Sequence, residues 1–169
     1  MMAVEQDLEG KKVKPATKAW LYHDGTALYV AVDNAVNPAS PLKMGDEWGG
    51  NDAVELAFKN PALGPAAPIV ILRGYPSGHF ASSDEAGAPP AVVKKAAEGV
   101  QFAAKVLGKD RWTAEWRVPF ASLGLDPVKT PKLAFSLSLR KTGGPDWVLW
   151  VGTNHATWNV NNAGDLVLK

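Results

Sequence analysis

Alternation of apolar and polar positions is the clearest pattern along this chain. The segments 111–118 (RWTAEWRV), 133–140 (LAFSLSLR) and 28–32 (LYVAV) each place large apolar side chains at every second position. Because successive side chains of a strand point to opposite faces, this period of two predicts half-buried β-strands. Asp24-Gly25 lies between two strand-like runs and predicts a hairpin over 19–32.

Other segments have the composition of short strands separated by turns. They are 53–58, 69–75, 99–107, 147–151 and 165–168. Sixteen glycines and thirteen prolines supply turn residues and leave little room for long helices. The sequence therefore predicts an all-β sandwich.

A few segments do not fit a strand. Residues 91–107 have helical propensity in their first half, but Gly99 interrupts them, so we expect at most one turn of helix there. Residues 119–125 (PFASLGL) are expected to form another short helical turn. We expect residues 1–14 and GAPP at 87–90 to be loose, and residues 15–169 to form one domain.

Composition excludes several classes of protein. The chain has 169 residues and a formal net charge of +1 without a basic block, so it lacks the electrostatic pattern of a nucleic-acid binder. No apolar run approaches the ~20 residues that a bilayer requires, and the N-terminal residues do not resemble a secretory signal. Cysteine is absent, which excludes disulfides and thiolate metal sites.

Two of the seven tryptophans lie in polar loops, where folding alone does not call for a large ring. Trp48 stands in GDEWGGND and Trp158 in TNHATWNVNNAG. The other five lie in strand-like runs, where burial accounts for them: Trp20, Trp112, Trp116, Trp147 and Trp150. The loop tryptophans suggest recognition of a ligand with flat, weakly apolar faces and many hydroxyls, such as a sugar. The alternative is that each indole folds back as a lid over the core.

The strand 53–58 adds polar groups close to Trp48. Alternation places Glu55 between Ala53 and Ala57, which leaves space above the sheet around a carboxylate that accepts well from hydroxyls. Arg73 shares a face with Ile69, Ile71 and Tyr75, so its charge needs a partner, and Glu55 is a candidate.

Several of these segments together resemble the family 9 carbohydrate-binding modules. The similarity covers about residues 20–168 and consists of a tryptophan loop leading into DAVEL, then ILRG, WTAEWRVPFASLG, and a polar tryptophan loop closing on GDLVL. It implies an immunoglobulin-like or jelly-roll sandwich of two antiparallel sheets that binds sugars without performing chemistry.

The resemblance also assigns roles to particular residues. In that family two tryptophans sandwich a sugar at the end of a chain, and polar side chains hydrogen-bond it. The corresponding residues here are Trp48, Trp158, Glu55, Arg73 and Asn154, with Asn161, Asn162 and Gln101 as further candidates. The family often carries structural calcium, but no acidic loop of the D-x-D-x-D type occurs in this chain.

A protein of this kind would have a defined biological setting. The resemblance implies binding to the ends of plant-type oligo- or polysaccharides, with the reducing end favoured. It also implies a glycoside hydrolase as companion or parent, and an extracellular or periplasmic location.

Two hypotheses from other classes remain. A glycoside hydrolase needs two carboxylates flanking the scissile bond, but Asp52 and Glu55, three residues apart, fall on opposite faces of a strand. A haem-binding sandwich of the cytochrome type would use a methionine and a histidine, for which Met44 and His155 lie beside the two tryptophan loops. Loops this polar do not favour a porphyrin slot.

Overall fold

A computed structural model describes residues 1–169 as eleven β-strands, one short α-helix and two turns of 3₁₀-helix. The strands in chain order are β1 (Met2–Gln6), β2 (Lys12–His23), β3 (Ala27–Ala35), β4 (Ala53–Lys59), β5 (Ile69–Gly74), β6 (Phe80–Ser83), β7 (Gln101–Val106), β8 (Arg111–Pro119), β9 (Lys132–Arg140), β10 (Trp147–Leu149) and β11 (Gly164–Val167). The helix α1 spans Pro90–Ala96, and the 3₁₀ turns span Pro61–Leu63 and Val160–Asn162. None of these helices combines the length and apolarity needed to cross a bilayer.

The strands form two antiparallel halves that are folded over one core. Hydrogen bonds connect them in the order β6-β5-β4-β9-β10-β1-β2-β3-β8-β7, with β11 beside β9. Between β1 and β10 the only register pair joins Gln6 to Leu149, and it links the two halves. A cluster of 26 buried residues, drawn from both halves, fills the space between them. The predicted all-β sandwich is therefore confirmed.

Alternation along the strands explains which side chains enter that core. In β4, Val54, Leu56 and Phe58 are buried in the main cluster, whereas Glu55 lies on the outer face. The predicted hairpin between β2 and β3 is also present. Its turn is fixed by the Asp24 carboxylate, which accepts hydrogen bonds from the backbone of residues 26 and 27.

The expectation of a loose segment over residues 1–14 is wrong for residues 2–6 and 12–14. Residues 2–6 form β1, which pairs with β2, and Val4 is fully buried in the main core. Alternation in this strand is hard to see because it spans five residues and includes Glu5 and Gln6. The strand matters because it connects the two halves of the sandwich.

The region before β7 is also more ordered than expected. The helix α1 has seven residues, about two turns at 3.6 residues per turn, rather than the single turn predicted. GAPP at 87–90 is not loose, because Ala88 is buried and Pro90 begins the helix. Residues 119–124 form consecutive hydrogen-bonded turns, as expected.

A buried lysine joins strands from both halves. Lys141 is 1 % exposed, and its Nζ donates to the carbonyl oxygens of Pro15 at 3.0 Å and Ala35 at 2.8 Å. Burial lowers the pKa of Lys141 from 10.5 to about 8, although the charge of Asp52 acts in the opposite direction. The ammonium therefore carries a desolvation cost that two carbonyl acceptors offset only in part.

This lysine predicts a pH dependence of stability. Between pH 8 and 10.5 the unfolded chain binds more protons at Lys141 than the folded chain, so the free energy of unfolding should rise with pH, by up to about 3 kcal/mol. Urea unfolding between pH 7 and 10.5 measures this rise. Lys141→Met should remove it, whereas Lys18→Met, at an exposed position, should keep it. An equal rise in Lys141→Met would contradict the assignment.

Candidate functional site

A buried ion pair lies at the centre of the site. Glu55 on β4 stands opposite Arg73 on β5 and Ser138 on β9. The Arg73 Nε and Nη2 atoms both lie 2.8 Å from Glu55 Oε2. Glu55 Oε1 accepts from the Thr157 hydroxyl at 2.6 Å and from the Ser138 hydroxyl at 3.3 Å. The sequence-based pairing of Glu55 with Arg73 is therefore confirmed.

Glu55 is not the open carboxylate that the small neighbouring side chains predicted. It is 1 % exposed, because Thr157 and Arg73 cover the space above the sheet. Burial raises the pKa of Glu55, whereas Arg73 and Thr157 act to lower it. Every neighbour donates to its two oxygens, which is the bonding pattern of an ionised carboxylate. Its direct effect is to fix the orientation of Arg73.

Trp48 packs on this arginine. The Arg73 guanidinium lies 4.1 Å from the centre of the Trp48 ring, which is a cation–π geometry. The centroids of the Trp48 and Trp147 rings lie 5.3 Å apart. The loop that carries Trp48 is closed at its base by Asp52, whose carboxylate accepts from the backbone N–H of Lys43. Trp48 is half-buried, so part of its indole remains accessible.

Trp158 reaches the same arginine through a second carboxylate. Its indole N–H donates to Glu85 Oε1 at 3.1 Å, and Glu85 Oε2 accepts from Arg73 Nη2. The ring of Trp158, also half-buried, packs on a small apolar cluster that is separate from the main core. We call Trp48, Glu55, Arg73, Glu85 and Trp158 the Arg73 cluster.

The two interpretations of the loop tryptophans both have support in this arrangement. Trp158 covers the small apolar cluster of Ala57, Ile69, Ile71 and Val160, as a lid would. Neither Trp48 nor Trp158 belongs to the main core. Each ring is anchored along part of its surface and leaves the rest to solvent, so both can stabilise loops and still contact a ligand.

The remaining candidate residues do not join the Arg73 cluster through any side-chain contact. Asn154 is exposed, with a φ of 65°, in the loop of Trp158. Asn162 braces that loop by donating to the Thr153 carbonyl. Asn161 accepts from Lys59, near the far end of β4. Gln101 lies in β7 opposite Arg117, on the other half of the sandwich.

Sequence reasoning missed Glu85. It lies in the segment SSDEAG, where β6 ends and the next loop begins, and its side chain is 46 % exposed. Nothing in the sequence distinguishes it from its neighbour Asp84. Only the folded loop shows that Glu85 connects Arg73 to Trp158, because that contact spans residues from three separate segments.

The residues that the two rival hypotheses need are either buried in structural contacts or exposed on polar loops. Asp52 is 2 % exposed and accepts from Lys43 and Thr142, so it is occupied in holding loops together. Met44 is 47 % exposed and His155 is also exposed, both on polar loops. No group of three or more His, Cys, Asp or Glu side chains is arranged to hold a metal ion.

Comparison with solved structures identifies the fold. A family 9 carbohydrate-binding module from Caldicellulosiruptor kristjanssonii, in complex with glucose, matches with a TM-score of 0.69 at 17% identity over 98% of this chain and 84% of that chain. The chain has the fold of a family 9 carbohydrate-binding module. A Caldicellulosiruptor kristjanssonii module of the same family in complex with cellotriose matches with a TM-score of 0.67 at 18% identity, over 90% of this chain and 75% of that chain.

A further solved structure matches this chain, and two other comparisons found no match. A Bacteroides uniformis protein matches with a TM-score of 0.55 at 14% identity, over 99% of this chain and 85% of that chain. No protein-family model matches the sequence, and no curated protein matches it. The family 9 fold thus agrees with the sequence resemblance, and the Arg73 cluster is the feature within it that suggests a function.

Proposed function

We propose that this chain is a non-catalytic family 9 carbohydrate-binding module that holds a terminal sugar ring between Trp48 and Trp158. The observation that carries the proposal is the Arg73 cluster, in which two half-buried indoles from separate loops meet around one buried ion pair. The complexes of two structural neighbours with glucose and with cellotriose support the same class of ligand.

The chemistry of a pyranose suits such a site. Its axial C–H groups can contact the faces of two indoles, while its equatorial hydroxyls project in the plane between the rings. Arg73 can offer a hydroxyl its remaining Nη1 N–H, because its other N–H groups point to Glu55, Ser83 and Glu85. Glu85 can accept from hydroxyls, because nearly half of its side chain is exposed.

We assign different roles to the polar residues. Glu55 is a positioning residue, since it is 1 % exposed and reaches the ligand only through Arg73. Arg73 and Glu85 are proposed to hydrogen-bond the sugar directly, with Asn154 at the rim. Asn161 and Asn162 are left out of this site because their amide groups bond to Lys59 and to the Thr153 carbonyl. Gln101 is left out because it lies on the other half of the sandwich.

The proposed site also predicts an affinity for sugars, and the proposed function predicts a location and a partner enzyme. Small polar ligands lose freedom and hydration on binding, so we expect dissociation constants on the order of 10 µM to 1 mM, or about 4 to 7 kcal/mol. The module would act outside the cytoplasm, in the periplasm or beyond the cell, and would direct a glycoside hydrolase to chain ends of its polysaccharide.

Titration calorimetry with glucose, cellobiose and xylobiose tests the proposal, with product analysis of the same mixtures. We expect a saturable heat with at least one sugar and no new reducing ends. Absence of heat with every neutral sugar would contradict the binding function. Release of new reducing ends would show that the chain is an enzyme.

Recognition of the reducing end is a finer prediction. A site with the Glu55–Arg73 pair as its floor and an indole on each side would admit a terminal ring and exclude an internal one. Reducing cellobiose to cellobiitol opens the reducing-end ring, so affinity measured by calorimetry should fall at least tenfold. Methyl β-cellobioside, whose ring stays closed, is the control and should bind more tightly than cellobiitol. Equal affinities for cellobiose and cellobiitol would point to the other terminus or to an open groove.

A further inference from the structure

A second set of exposed aromatic rings lies on the other half of the sandwich. On the outer face of β2, Trp20 is 41 % exposed and Tyr22 is 67 % exposed. Burial therefore does not account for Trp20, contrary to the sequence-based interpretation. Alternation explains its placement, because Ala19 is in the core and Trp20 must point the opposite way.

Strand register extends this set into two rows across four strands. Trp20 aligns with Ala31, Glu115 and Ala103, whereas Tyr22 aligns with Tyr29, Arg117 and Gln101. At ~4.8 Å between neighbouring strands, each row is ~14 Å long. The rows line a cavity of about 410 Å³. We call Trp20, Tyr22, Tyr29, Gln101, Glu115 and Arg117 the aromatic face.

The two tyrosine rings of this face contact each other, while its polar groups are largely free. The centroids of the Tyr22 and Tyr29 rings lie 5.9 Å apart, and the Tyr29 hydroxyl donates to the Asp24 carboxylate at 2.8 Å. Arg117 makes one long contact, from Nε to the Tyr29 hydroxyl at 3.4 Å. The side chains of Gln101 and Glu115 have no hydrogen-bond or ion-pair partner among those the structure records.

We propose that the aromatic face is a second carbohydrate-binding surface, which takes a run of several units of a neutral polysaccharide. Trp and Tyr rings offer flat faces to sugar C–H groups, and unpaired amide, carboxylate and guanidinium groups beside them match hydroxyls. Glu115 and Arg117 carry opposite charges, so the face has no net charge and suits a neutral ligand better than an anionic one. An open row of this length suits the interior of a chain, in contrast to the Arg73 cluster.

The test uses chain variants and hexasaccharides. The probes are cellohexaose, xylohexaose and mannohexaose at ~10 mM, added to the ¹⁵N-labelled full chain and to its Trp158→Ala variant. We expect the indole N–H resonance of Trp20 to shift saturably with at least one hexaose in both proteins. Glucose should not shift it. If no hexaose moves the Trp20 resonance in either protein, the proposal is overturned, whatever happens at the Arg73 cluster.

Substitutions on the face complete the experiment. Trp20→Ala should weaken hexaose binding about tenfold in the Trp158→Ala background, because it removes the largest stacking ring. Lys18→Ala, on the same face of β2 but outside the two rows, is the matched control and should leave binding unchanged. Sedimentation of the full chain tests a different occupant. A dimer that Trp20→Ala converts to monomers would show that the face binds a second copy, and would overturn the glycan proposal.

Discussion

Replacing Trp158 or Trp48 with alanine is expected to weaken binding of cellobiose at least tenfold, or about 1.4 kcal/mol. Each substitution removes one of the two stacking faces. Trp158→Ala also removes the indole N–H that donates a hydrogen bond to Glu85. Calorimetric titration of each variant measures the change.

Stability must be followed in the same variants, because both rings also pack on protein. Trp158 contacts a small apolar cluster and Trp48 contacts Trp147, so we expect a modest loss of stability and a retained fold. Leu63→Ala is the control, since it removes an exposed apolar side chain outside both proposed sugar sites and should leave cellobiose binding intact. Wild-type affinity in both loop variants would show that the tryptophans serve only as lids.

The second large effect is on folding. Glu55→Ala should lower the free energy of unfolding by about 3 kcal/mol, because it leaves the nearly buried Arg73 without its main partner. Glu85 also pairs with Arg73, which places this value at the lower end of the range for broken buried pairs. Urea unfolding at neutral pH measures the loss.

Two further variants make this prediction specific. Glu115→Ala, at an exposed strand position without an ion pair, should change stability by less than about 0.5 kcal/mol. Glu55→Gln keeps the shape of the side chain and should cost less than Glu55→Ala, while still weakening sugar binding through a displaced Arg73. Equal stability losses in Glu55→Ala and Glu115→Ala would mean that the buried pair does not hold the sheet together.

Sequence pattern predicted the sandwich because most of its strands are long enough to show alternation. The same rule placed Glu55 and Arg73 on outward positions that the fold brings opposite one another. It failed for β1, where five residues leave too few positions to count. Trp20 was misplaced because a large ring in a strand was assigned to the core, although its neighbours Ala19 and Leu21 occupy the inward positions.

The loops limited what could be predicted about the site. Glu85 joins Arg73 to Trp158 through contacts between separate segments, and no local pattern reports such a contact. Asn162 was a further candidate implied by the family resemblance, but its amide braces the loop backbone. Proximity in sequence identified the loops that form the Arg73 cluster without identifying which of their side chains contact one another.

The most direct test of a sugar site at the Arg73 cluster is a titration followed through the indole N–H resonances of the seven tryptophans. Cellobiose should shift the resonances of Trp48 and Trp158 saturably and with one dissociation constant, because both rings contact the same ligand. The resonances of Trp112 and Trp116, which are buried in the core, should not move. A titration with cellobiose and the other neutral disaccharides that leaves Trp48 and Trp158 unshifted would contradict a sugar site at the Arg73 cluster.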